Sequence, residues 1–161
     1  MSYQLFYWIH IVSYLTWLAA FVASMLFAWK TGKAYQTEHE SFFMKMERRA
    51  TSIGAHIGAL GILISGGAMA SIPGGPKWGW FNFEDFAWLS VKQVLFFLIL
   101  ILVGISIKKS VAFKRKLKSE NGDGEPVSDE TRRLWHNAYK NSLIVYLLVL
   151  INTLLGLAKP F

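Results

Sequence analysis

Four apolar runs, each about 20 residues or longer, leave little freedom in what this chain can become. They cover residues 5–29, 49–71, 88–107 and 134–158. About 20 residues of helix cross the roughly 30 Å of bilayer hydrocarbon, so each run can span a membrane. A helix satisfies its own backbone polar groups in lipid, so the expected fold is all-α: an integral membrane four-helix bundle in one domain, residues 1–161. Composition agrees, with 53% hydrophobic and 16% aromatic residues, too apolar for an ordinary soluble domain of this size. The first run lacks a positive leading segment and is longer than the apolar core of a signal peptide, so it is expected to be retained.

The formal net charge of +7 does not point to nucleic acid, because the basic residues lie between the apolar runs. Lys30, Lys33, Lys45 and Arg48 separate the first two runs, and Lys108, Lys109, Lys114, Arg115, Lys116, Lys118, Arg132 and Arg133 the last two. The middle connection carries only Lys77. The positive-inside rule therefore places both basic loops in the cytoplasm and both termini outside, N-out and C-out. Membrane lipid is the expected partner, and the inner membrane of a bacterium the expected location. Residues 119–130 are polar and rich in turn formers, which suggests a flexible cytoplasmic loop with Ser128 or Asp129 capping the fourth helix. The aromatic residues around 78–88 suit an anchor at the headgroup boundary or a lid over an outer pocket.

The chain has no cysteine, which excludes disulfides, iron–sulfur clusters and thiolate metal sites. It also lacks a P-loop, a dinucleotide fingerprint and a nucleophile elbow. Function must then rest on polar groups within the apolar runs, where an ionisable residue is costly. His10, Ser13, Tyr14 and Trp17 share one side of the first helix. Counted at 1.5 Å per residue from the outer ends, His10 lies about 8 Å deep, Lys92 about 6 Å and Asn152 about 9 Å, so three helices place a polar side chain at one level. The alternative is that His10 and Asn152 satisfy each other while Lys92 reaches outward. His56 lies about 14 Å deeper than His10, so the two are poorly matched as axial ligands of one haem. It reads as a packing histidine, a ligand or a proton relay.

Gly54, Gly58, Gly61 and Ser65 recur at helical spacing on the second run, giving a face for packing within the bundle or for a homodimer. Met44 and Met46 could bind Cu(I) or simply pack at a helix end. Glu47, Arg48 and Arg49 open the second run as topogenic charge or as a site for an anionic group.

In order along the chain, Trp8-Ile9-His10-Ile11, Met46-Glu47-Arg48-Arg49, Trp88-Leu89-Ser90-Val91-Lys92 and Lys159-Pro160-Phe161 resemble the HemJ type of protoporphyrinogen IX oxidase, a small four-helix membrane family related to the CopD-like copper-resistance proteins. The resemblance runs loosely over most of the chain. It implies a haem b protein that removes hydrogens from a porphyrin substrate and passes electrons to a membrane acceptor such as quinone. By the same resemblance His10 is the candidate haem ligand, Lys92 the lysine of the helix-three motif, and Arg48 and Arg49 the arginines of the Glu-Arg-Arg element. Lys92, Arg48 and Arg49 are thus the expected catalytic residues, and His10, Tyr14, His56 and Asn152 the expected cofactor-binding ones. The chain departs from the family at the end of the first helix (SMLFAWKTGK), entering the fourth (KNSLIVYL) and at Ser90. Two other classes remain open: a CopD-like copper or small-solute transporter using His10, His56 and the methionines, and a non-catalytic membrane scaffold.

Overall fold

The computed structural model describes residues 3–72, 80–120 and 126–158, with the side chains of residues 55 and 56 left out. It contains four helices, α1 (Tyr3–Lys33), α2 (Glu40–Ser71), α3 (Ala87–Ser119) and α4 (Asp129–Ala158), and no strand among the described residues. Each is long and apolar enough to cross a membrane. The protein is an all-α, four-helix membrane bundle.

The helices run further than the apolar segments do, and mostly at the basic end. At 1.5 Å per residue their 30 to 33 residues give about 45–50 Å, more than the hydrocarbon core needs. α2 begins at residue 40 instead of 49, α3 ends at 119 instead of 107, and α4 begins at 129 instead of 134. These extensions hold because they have their own apolar core: Met44, Phe113, Val127 and Trp135 pack together there. Met44 is thus a packing residue within an apolar cluster.

The connection at 119–130 is anchored at both sides. Ser119 belongs to α3, Val127 is buried, and Ser128 Oγ accepts from Thr131 N at 3.2 Å as the expected cap of α4. Residues 121–125 lie outside the described residues. In the first connection Gln36 takes a left-handed φ of 59°, and its N–H donates to Glu40 Oε2 at 3.0 Å. That same carboxylate, only 1% exposed, receives Arg132 Nε at 2.8 Å and Arg132 Nη2 at 3.1 Å. One buried glutamate therefore ties the first connection to the start of α4.

α1 packs closely along α2, and α3 along α4. Glycine explains the first pairing. A Cβ at Gly54 would collide with that of Ala20, one at Gly61 with the Ser13 hydroxyl, and one at Gly58 would stand 3.1 Å from the Trp17 Cβ. The glycine face is therefore covered by α1, as packing within the bundle. Between the two hairpins the space is filled by large side chains, with Tyr14, Trp17, Ile99, Val103, Tyr146 and Val149 in one core. Opposite faces are apolar and exposed, as with Val12, Leu15, Val22 and Leu26 on α1 and Ile144, Leu147, Ile151 and Leu154 on α4. Such stripes suit lipid contact.

At the aromatic end Trp80 lies over Gly67 of α2, its ring 3.7 Å from where a Cβ would stand, and Phe81 stacks on Phe97 of α3 at 6.0 Å between centroids. Residues 73–79, including Trp78, lie outside the described residues, as do 159–161 of the terminal Lys-Pro-Phe.

Candidate functional site

Polar side chains inside the bundle form two levels. The one nearer the aromatic end collects the residues that the depth count places together. His10 is half-buried, with Nδ1 2.8 Å from Ser65 Oγ. Ser65 Oγ lies 2.5 Å from the carbonyl of Gly61, a backbone acceptor, so its own proton goes there. Ser65 must then accept from His10, which puts the ring proton on Nδ1 and leaves Nε2 as the lone-pair nitrogen. Gly66 borders the same ring, with His10 Cε1 3.4 Å from the position a Cβ would take. Tyr14, one turn along α1, meets His10 edge-on at 5.0 Å between centroids.

From α4, Asn152 Nδ2 reaches the Tyr14 hydroxyl at 3.5 Å, a long hydrogen bond between two buried residues. One turn further on, Gly156 makes room for Lys92: a Cβ there would collide with Lys92 Nζ. The lysine therefore reaches across to α4 instead of extending straight outward. His10, Tyr14, Lys92 and Asn152 are thus brought together by α1, α3 and α4, with Ser65 of α2 as a fifth member that sequence reasoning read only as a packing residue.

The second level lies toward the basic end and is fully enclosed. Glu47 and Arg48 are adjacent on α2, both 0% exposed, and paired directly through two hydrogen bonds. Glu47 Oε1 also accepts from Ser24 at 2.6 Å and Thr51 at 2.9 Å, and Oε2 accepts from Trp135 Nε1 at 3.1 Å. Arg48 Nη1 donates to Ser142 at 3.2 Å and Ser110 at 3.4 Å, while Ser106 meets Ser142 at 2.9 Å. Every helix contributes. Removing a charge pair from water is costly, and only this density of charge-assisted hydrogen bonds makes the arrangement tenable.

This geometry changes how the arginines are read. Arg48 is neutralised by its neighbour and enclosed, so its guanidinium is committed to the bundle. Arg49, the next residue, is exposed. His56 belongs to α2, but its side chain lies outside the described residues. His136 is exposed at the basic end, beside a cleft of about 930 Å³ lined by Trp29, Tyr35, Met44, Arg132, Trp135 and Tyr139. Among the described residues no three His, Asp or Glu side chains gather as a metal site.

Glu47 was visible in the sequence only as part of a Glu-Arg-Arg string. The signal that could have found its role is the set of hydroxyls at helical spacing: Thr51 four residues on, and Ser106 and Ser110 four apart on α3. Compared with protein-family models, curated proteins and solved structures, the chain matches none.

Proposed function

We propose that this protein is a haem b-binding membrane oxidoreductase of the protoporphyrinogen oxidase type, with His10 as the axial ligand. The observation that carries the reading is the contact of His10 Nδ1 with Ser65 Oγ at 2.8 Å, which occupies one ring nitrogen and leaves Nε2 as the candidate donor atom. Metal-binding histidines characteristically have their second nitrogen fixed in this way. The lack of a side chain on Gly66 also keeps α2 close to the ring without blocking it.

A bound haem supplies one-electron chemistry that no side chain of this chain offers. Lys92 is suited to pair with a porphyrin carboxylate, and Tyr14 with Asn152 orients the polar side of the site. Arg48 is reassigned from catalysis to holding the four helices in register, because its donors are already engaged. Arg49 is left as an exposed positive charge suited to lipid. The electron acceptor is a membrane-soluble carrier such as quinone, the membrane is the bacterial inner membrane, and the basic loops face the cytoplasm, in keeping with their charge.

The test is oxidation of protoporphyrinogen by membranes containing the protein, with a quinone analogue as acceptor. Wild type should be active, Lys92→Ala strongly reduced and His10→Ala inactive, while Arg49→Ala stays near wild type. Equal rates in membranes with and without the protein would rule the activity out.

A further inference from the structure

α1 packs along α2 and α4 along α3, but α1 and α4 touch little, and the cleft of about 930 Å³ at the basic end is lined mainly by these two helices. Its polarity changes along the bundle axis. The tilted ring contact of Phe21 with Tyr146 and the seat of Arg132 over the Tyr35 ring at 4.4 Å fix the register of the two antiparallel helices. Ala28 therefore stands level with Tyr139, and Tyr35 with Arg132. The ten residues from Met25 to Tyr35 cover about 15 Å of helix axis. At the inner end the lining is apolar or aromatic, from Met25, Ala28, Trp29 and Tyr139, with buried Met44 and Trp135 as the floor. At the outer end it is charged.

The outer charges do not cancel. Three cations, Lys33, Arg132 and Arg133, stand with two carboxylates, Glu40 and Asp129, and Arg132 engages both of these. Arg133 lines the cleft, is exposed and has no ion pair among the described residues. Lys33 stands at the rim, its Nζ 3.8 Å from the centre of the Trp29 ring. Below the cleft the lipid-facing side of α1 continues through Val22, also exposed. Trp29 closes the first apolar run, at the depth where indole rings mark the boundary between hydrocarbon and headgroups. A ligand matched to this shape is anionic at that boundary and hydrocarbon beneath it. Free phosphate would leave the apolar length unfilled, and a zwitterionic headgroup would bring its own cation toward Arg133. Basic pockets between membrane helices characteristically take anionic headgroups.

We propose that the cleft between α1 and α4 holds one anionic phospholipid of the leaflet at the basic end, its phosphate beside Arg133 and Lys33 and an acyl chain running past Trp29 and Met25. The guanidinium fork of Arg133 suits two phosphate oxygens at once. The lipid site is independent of what His10 binds.

Native mass spectrometry of the full-length protein released from micelles counts bound lipids directly, using phosphatidylglycerol and phosphatidylcholine with identical chains. Wild type should retain one phosphatidylglycerol about tenfold more tightly than phosphatidylcholine. Arg133→Ala should weaken phosphatidylglycerol about fivefold, whereas Arg115→Ala, an equally exposed cation on α3 away from the cleft, should leave it unchanged. Gly32 lines the cleft and has nothing within 4 Å of where a Cβ would stand, so Gly32→Phe should fill the space and expel the lipid. Equal affinity of wild type for the two lipids overturns the proposal, as do equal losses in Arg133→Ala and Arg115→Ala. Displacement of the lipid by excess glycerol phosphate would assign the site to a soluble anion instead. The comparison of lipids on wild type needs no variant, so a misfolded variant does not shield the proposal.

Discussion

Replacing Glu47 with leucine isolates the energetics of the inner polar level. The change removes the acceptor of five hydrogen bonds and leaves the Arg48 guanidinium buried at 0% exposure with two serine partners among the described residues. Breaking a buried pair by removing one member costs about 3–5 kcal/mol, mainly because the other charge is left uncompensated. The released donors of Ser24, Thr51 and Trp135 act in the same direction, although serine and threonine can turn to backbone carbonyls. Arg48→Met alone strands a carboxylate in the same way. The double change Glu47→Leu with Arg48→Met removes both charges, and replacing a whole buried pair by apolar groups is often nearly neutral. The expected pattern is therefore two singles destabilised by about 3–5 kcal/mol each and a double milder than either. Reversible unfolding in mixed micelles, followed by a tertiary-packing probe, measures all four corners of the cycle. Singles costing under about 1 kcal/mol, or a double equal to their sum, would refute the reasoning.

Other consequences can be checked more briefly. Gly54→Ala places a methyl on the Ala20 Cβ and should cost about 1–3 kcal/mol in the same assay, whereas Gly104→Ala, with nothing within 4 Å, should be neutral or stabilising. Ser65→Ala frees the Nδ1 side of His10 and should weaken haem binding about 10- to 100-fold in a titration, with the bundle still folded. The Glu120 carboxyl is pushed up by burial, but the hydrogen bond from Ser128 and the nearby Lys116 ammonium outweigh this and hold it below its ordinary value of 4.5. Its stabilisation of the start of α4 is thus complete above the ordinary value and is lost as pH falls through the lowered one. Amide protection in the first turn of α4 should decline over that acid range, and Glu120→Gln should remove the dependence.

Much of the bundle was legible because lipid imposes a simple rule on apolar length, and four runs of that length permit few alternatives. The helix ends at the basic side were not, since Met44, Phe113, Val127 and Trp135 hold them through contacts between residues far apart in the chain. The glycine spacing identified a packing face, but periodicity alone could not tell α1 from a second copy as the neighbour. Among site residues, depth along a helix brought His10, Lys92 and Asn152 to one level, where His10 and Asn152 both meet Tyr14 and Lys92 reaches Gly156 of α4. Depth carries no information about rotation, which is why Arg48 and Arg49 looked equivalent although one is enclosed and the other exposed. Adjacent helical residues point about 100° apart, so the direct pairing of Glu47 with Arg48 also runs against the usual neighbour rule.

The most direct test of the central claim is the oxidised and dithionite-reduced absorption spectrum of the detergent-purified protein after haem is supplied, quantified as pyridine haemochrome and compared with His10→Ala. The account predicts a near-stoichiometric b-type spectrum in wild type and its loss in His10→Ala, with helical content unchanged. A wild-type protein that stays colourless, or a variant whose spectrum matches wild type, would contradict it.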